Sequence, residues 1–182
     1  MNVRGNTWLD PVPVTRYQYP QGRWYTQTGW GRKYMREIYP ENLDLMREYF
    51  KLVAQWTDAI QNDFAARADW CLKSYEEANH TPVLVSKNNL NLTAKPGSKI
   101  LISAKGSYDT DGDQLHYKWW RYKDADTYSG TIEIRYAEKE KASFIVPDDA
   151  VPGETIHIIC EVQDDGTPRL TRYLRFIVEV KL

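Results

Sequence analysis

The last hundred residues alternate. Ile156, Ile158, Cys160 and Val162 occupy every second position, with more polar neighbours between them, and Leu174, Phe176, Val178 and Val180 repeat the pattern. Leu115, Tyr117 and Trp119 do the same, interleaved with His116, Lys118 and Trp120. A period of two is what a half-buried strand requires, because successive side chains point to opposite faces. Turn signals separate the runs at Lys95-Pro96-Gly97, Asp111-Gly112-Asp113, Ser129-Gly130, Val151-Pro152-Gly153 and Asp165-Gly166-Thr167-Pro168. About seven short strands between residues 82 and 182 predict an Ig-like β-sandwich, with Trp119 of the third strand in its core.

The preceding residues follow a different grammar. No glycine lies between Gly31 and Gly97, and no proline between Pro40 and Pro82. Over residues 42–77 the apolar positions Leu45, Tyr49, Leu52, Trp56, Ile60, Phe64, Cys71 and Tyr75 step mostly by three or four. That spacing predicts a helix with a broad apolar stripe. Asn42 can cap it, and Thr57-Asp58 offers a second cap, so one long helix and two shorter ones are both open. If Trp56 and Phe64 are buried, truncating either to alanine would cost about 3–5 kcal/mol. Residues 1–40 are irregular and aromatic-rich, with Trp8, Trp24, Tyr25 and Trp30 among Pro and Gly. The fold class is therefore mainly β, with a helix-and-loop segment over residues 1–80 and the sandwich over 81–182.

Composition excludes several classes of partner. Lys+Arg is 24 and Asp+Glu is 25, for a formal net charge of −1. Such balance gives no basic field for nucleic acid. No apolar run is long enough to span a membrane, and the first twenty residues lack the apolar core of a signal peptide. The cysteines, Cys71 and Cys160, form no zinc spacing with His80, His116 and His157, and are expected to be two separate buried thiols.

Two segments carry a resemblance. Gly106-Ser107-Tyr108-Asp109-Thr110-Asp111-Gly112-Asp113 running into Trp119 resembles the second turn and third strand of polycystic-kidney-disease-type repeats. Asp164-Asp165-Gly166-Thr167-Pro168 resembles the last hairpin of cadherin-like domains. The whole chain is similar to a bacterial family described as cellulose-binding, which couples a nucleoside-hydrolase-like domain to a C-terminal Ig-like domain. The residues that carry this likeness are Gln61–Cys71, Ala78-Asn79-His80-Thr81-Pro82-Val83, Trp119-Trp120 and Pro152–His157. Gly29-Trp30-Gly31 matches a Trp/Gly loop of that family, from which Arg32 and Lys33 depart.

The resemblance implies that residues 1–80 are the tail of the hydrolase-like α/β domain. The Asp cluster that carries that domain's calcium and catalysis has no match here, where Asp10 is a lone acid. It therefore implies no catalysis by this chain and leaves open whether the larger parent is a hydrolase. It also implies a secreted, periplasmic or cell-surface location.

Three groups are candidate sites. If Trp119 points inward, Trp120 and Tyr122 share the other face of the strand, and Tyr128 is close enough in sequence to join them. Flat aromatic faces suit sugar rings. The alternative is that the 42–77 helix covers Trp120. Trp24 and Trp30 form a second aromatic group, a pocket rim or an anchor for the irregular segment. Asp109, Asp111 and Asp113, at alternate positions, can offer oxygen ligands to calcium. The twelfth position of a full EF-hand loop is Trp120 rather than Glu, and a tight turn bonded by Asp side chains is the competing reading.

The expected function is a non-catalytic module that binds polysaccharide, cellulose or a related β-glucan first. The alternative is an accessory domain that steadies a nucleoside-hydrolase-like domain and binds no sugar. The expected partners are polysaccharide, that hydrolase-like domain, and a second copy of the chain through the exposed helix. No cofactor other than calcium is expected.

Overall fold

The computed structural model describes residues 54–182. Contacts divide the chain after Trp56, and Thr57–Leu182 forms one compact unit that takes in the end of the helical stretch as well as the strands. Helix α1 spans Thr57–Asp69, with Asp58 in its first turn and Arg67 in its last. Both charges complement the helix dipole. Ala54 is helical and Gln55-Trp56 form a turn before α1, so a break does fall at Thr57. After α1 the chain makes a short 3-10 turn, Tyr75–Glu77, where the Glu77 carboxylate accepts from the Ser74 N–H at 3.2 Å. The remainder of the helical stretch, 42–53, lies outside the described residues.

The condition of burial set for Phe64 is not met, and the expectation of an exposed helix is the one that fits. Only Ala66 of α1 is buried, and Phe64 is 74% exposed. Leu72 and Tyr75 beyond it are exposed too.

Six strands follow: β1 (Asn91–Ala94), β2 (Lys99–Ser103), β3 (His116–Arg121), β4 (Lys141–Ile145), β5 (Thr155–Gln163) and β6 (Thr171–Val180). Four form a sheet in the order β1-β6-β5-β3, and β2 pairs with β4 in a second sheet. β1 runs parallel to β6, and the other pairs are antiparallel. Six strands stand where about seven were expected, and two isolated bridges pair Val83 with Tyr108 and Arg135 with Ser143.

Both sheets feed one core. Ile102 and Phe144 come from the small sheet, and Trp119, Ile158, Phe176 and Val178 from the large one. Trp119 is 3% exposed, as the alternation predicts. Its ring lies 5.6 Å from that of Phe176, and its indole N–H donates to the Lys139 carbonyl at 2.7 Å. The one polar atom of a large buried ring is thereby satisfied. β5 breaks the alternation, because Ile156 through Cys160 are all buried. It is an interior strand between β6 and β3 and is covered on both faces at His157 and Ile159. Cys160 is buried, but Cys71 is exposed, which corrects the expectation of two buried thiols; both are free.

Candidate functional site

The outer face of the large sheet assembles the first site. Since Trp119 points inward, the pleat puts Lys118, Trp120 and Tyr122 on the opposite side. Register then aligns the neighbours: Trp120 lies opposite Ile159, which lies opposite Arg175, and Lys118 lies opposite Glu161, which lies opposite Tyr173. Trp120 and Tyr122 are half-buried, with ring centroids 5.8 Å apart and planes at 74°. They meet edge to face rather than forming one flat platform. The Trp120 indole N–H donates to the Glu161 carboxylate at 3.1 Å.

Burial, reinforced by the Glu161 charge, pushes the Tyr173 hydroxyl up to about 12, so it remains a neutral donor. Arg175 donates from Nε to His157 Nδ1 at 2.9 Å. That contact makes Nδ1 an acceptor and places the neutral ring's proton on Nε2. Burial, and then the Arg175 charge, hold His157 below its ordinary range.

Tyr128 does not join this face. It is 6% exposed and belongs to the core cluster, with its hydroxyl donating to Asp149 at 2.8 Å. The Arg121 guanidinium lies 5.4 Å from its ring centroid and donates to the carbonyls of Tyr128 and Gly130 and to Asp126. This arginine folds the post-β3 segment inward, which proximity in sequence could not indicate. Glu161, Tyr173, Arg175 and His157 were missed by sequence reasoning. Their phase along each strand was legible, but the register that brings them beside Trp120 belongs to the assembled sheet. Trp24 and Trp30 lie outside the described residues.

The second site is the acidic turn. Asp109, Asp111 and Asp113 each bring one carboxylate oxygen within 4.8 Å of the others. Gly112, at φ 89°, takes the left-handed conformation that bends this turn. Asp109 Oδ1 accepts from the Asp111 N–H at 2.8 Å, the side-chain-to-backbone bond expected of a turn. His80 reaches Asp111 twice, through its N–H at 2.6 Å and through ring Nδ1 at 2.9 Å. The His80 ring also stacks on Tyr75, with centroids 3.9 Å apart, and on Trp70, at 5.9 Å. The chain leaving α1 is thereby tied to the β domain at this turn.

Two further side chains lie beside this turn, Asn79 meeting Asp113 at Gly166 and Asp164 feeling the Asp109 charge. Asp164 is 0% exposed, and its Oδ1 accepts from Leu170 N–H at 2.8 Å, Gly166 N–H at 3.2 Å and Asn79 Nδ2 at 3.3 Å. Asn79 Nδ2 also donates to the Pro168 carbonyl at 2.7 Å. Asp109 Oδ2, Asp164 Oδ2 and Asn79 Oδ1 are buried without a hydrogen-bond partner. Burial raises the Asp164 carboxyl, partly offset by its amide donors, and the nearby Asp109 charge adds to the rise. Asp113 is raised by burial and then by Asp109, Asp165 and Asp111.

Comparison with known proteins gives the family context. Residues 99–180 match the family described as cellulose-binding protein Sde0182, C-terminal domain. A solved nucleoside hydrolase-related hypothetical protein from Saccharophagus degradans, described as associated with carbohydrate metabolism, is 40% identical over 70% of this chain, with a TM-score of 0.67. The match takes in 32% of that protein, so this chain spans about a third of its length. A PKD domain from the KIAA 1837 protein is 14% identical over 54% of this chain and 86% of its own, with a TM-score of 0.37. Murine CRIg is 13% identical over 57% of this chain and 100% of its own, with a TM-score of 0.39. No curated protein matches the chain. Among the described residues, no helix is long and apolar enough to cross a membrane. Over residues 99–180, the β domain of this chain is similar to the C-terminal domain of the cellulose-binding protein Sde0182 family.

Proposed function

We propose that the β domain is a non-catalytic module that associates with polysaccharide outside the cell, with a β-glucan such as cellulose as first choice. The observation that carries the reading is the Trp120–Tyr122 ring pair, with Glu161 on the indole edge, inside the segment that matches a family described as cellulose-binding. One ring offers a face for the C–H side of a pyranose, and the other closes the flank. Glu161, Arg175 and the Tyr173 hydroxyl are polar groups for sugar hydroxyls. Rings at 74° suit a single glucan chain better than the flat face of a crystal.

The test is a pull-down on amorphous and on crystalline cellulose, comparing wild type with Trp120→Ala, both checked for folding by circular dichroism. The expected result is binding by wild type, stronger on the amorphous form, and loss in the variant. Equal binding by the two proteins removes the site from this face, and no binding by folded wild type removes the glucan reading.

A second reading is supported by the exposed apolar residues Ile60, Phe64, Leu72 and Tyr75. In it, the chain is an accessory part of a larger nucleoside-hydrolase-related protein and covers these residues with that domain. Failure of folded wild type to bind any glucan puts this reading first.

A further inference from the structure

We propose that Asp109, Asp111, Asp113, Asp164 and Asn79 form a calcium site that locks the entry of the chain into the β domain. Three observations converge on it. The first is the mutual approach of the Asp109, Asp111 and Asp113 carboxylates to within 4.8 Å. The second, independent of the turn, is the set of orphaned oxygens: Asp164 Oδ2 on a side chain with no exposure, Asn79 Oδ1 at 8% exposure, and Asp109 Oδ2. Each is an acceptor that folding has taken from water without giving it a donor, a cost that a cation would remove.

The third observation is the space around Gly166. A Cβ there would fall 2.4 Å from Asn79 Nδ2 and 2.4 Å from Asp113 Oδ2. The side-chain ends of Asn79 and Asp113 therefore both close on Gly166, which brings residue 79, the 109–113 turn and the 164–166 loop together, and a larger residue there would have to displace them. Every remaining donor atom in the set is an oxygen, which selects a hard cation, and several carboxylates on three separate chain segments suit the larger, more flexible shell of calcium rather than magnesium.

The ion would join residues 79–80, the 109–113 turn and the 164–166 loop. His80, already on Asp111 and stacked against Trp70 and Tyr75, would transmit that order to the end of α1. The site is then structural and lies apart from the Trp120 face.

Isothermal titration of the EDTA-stripped chain with calcium chloride tests this, with magnesium chloride in parallel and thermal unfolding followed at each concentration. The expected result is a saturable calcium site with Kd of roughly 1 mM or tighter, in the range of extracellular modules, with magnesium weaker. The thermal midpoint should rise with calcium. Asp109→Asn and Asp113→Asn should each weaken calcium binding by about tenfold or more and remove the thermal shift. They are preferred to Asp164→Asn, because Asp164 Oδ1 holds its own loop together. Absence of calcium heat and of any thermal shift in folded wild type overturns the proposal. So does unchanged affinity in either folded variant.

Discussion

Asp126→Asn removes one charge and almost no volume, and it should be among the most damaging polar substitutions in the domain. The Asp126 side chain is 1% exposed and that of its partner Arg121 is 11% exposed. Asp126 accepts from Arg121 Nε and, through Oδ1, from the His157 backbone N–H at 2.6 Å. Arg121 also donates to the Tyr128 and Gly130 carbonyls. Breaking a buried pair from one side leaves an uncompensated charge in low dielectric, at a cost of about 3–5 kcal/mol. The amide oxygen of Asn can still accept, so the lower end, about 3 kcal/mol, is expected. Arg121→Met strands the Asp126 carboxylate and leaves the Tyr128 and Gly130 carbonyls without this donor, so it should cost at least as much. The double variant should lose less than the sum of the singles, because neither partner is then left as a buried lone charge. A coupling of about 1 kcal/mol or more is expected. Urea denaturation followed by circular dichroism measures all four proteins. If Asp126→Asn costs under about 1 kcal/mol, or the two singles simply add, the pair behaves as a solvated surface bridge and the reasoning fails.

Other predictions follow from the same packing. Native protein should titrate one thiol with a disulfide reagent, that of exposed Cys71. Cys160, which burial pushes up to about 12, should react only after unfolding. Phe64→Ala should change stability by less than about 0.5 kcal/mol, whereas Phe176→Ala should cost about 3–5 kcal/mol; similar melting shifts in the two variants would contradict the exposures. His157 is held below its ordinary value of 6.5, so the unfolded chain takes up the proton first and stability should fall as pH drops below about 6.5. Asp113 and Asp164 are raised above the usual carboxylate value and act with the opposite sign. Denaturation at stepped pH should show the His157 limb flattened in His157→Gln, and an unchanged profile would refute the assignment.

The sequence by itself determined the class of fold and much of its interior. Alternation placed Trp119, Ile158, Cys160, Phe176 and Val178 inward, because the pleat leaves a strand no other way to bury one phase of its side chains. It also put Trp120 and Tyr122 on the opposite face, and the DxDxD spacing brought three carboxylates into one turn. The tertiary structure decided what no local pattern encodes. Tyr128 is one residue among many near β3 until Arg121 draws it into the core. His157 and Ile159 have an outward phase, yet they are buried, Ile159 lying between Trp120 and Arg175 of the flanking strands and His157 against Arg175. Asp164 and Asn79 stand 85 residues apart, and only the meeting of two loops turned them into neighbours of the acidic turn. Periodicity is a property of one strand and is written locally, whereas register, strand order and loop contact depend on which distant segments meet.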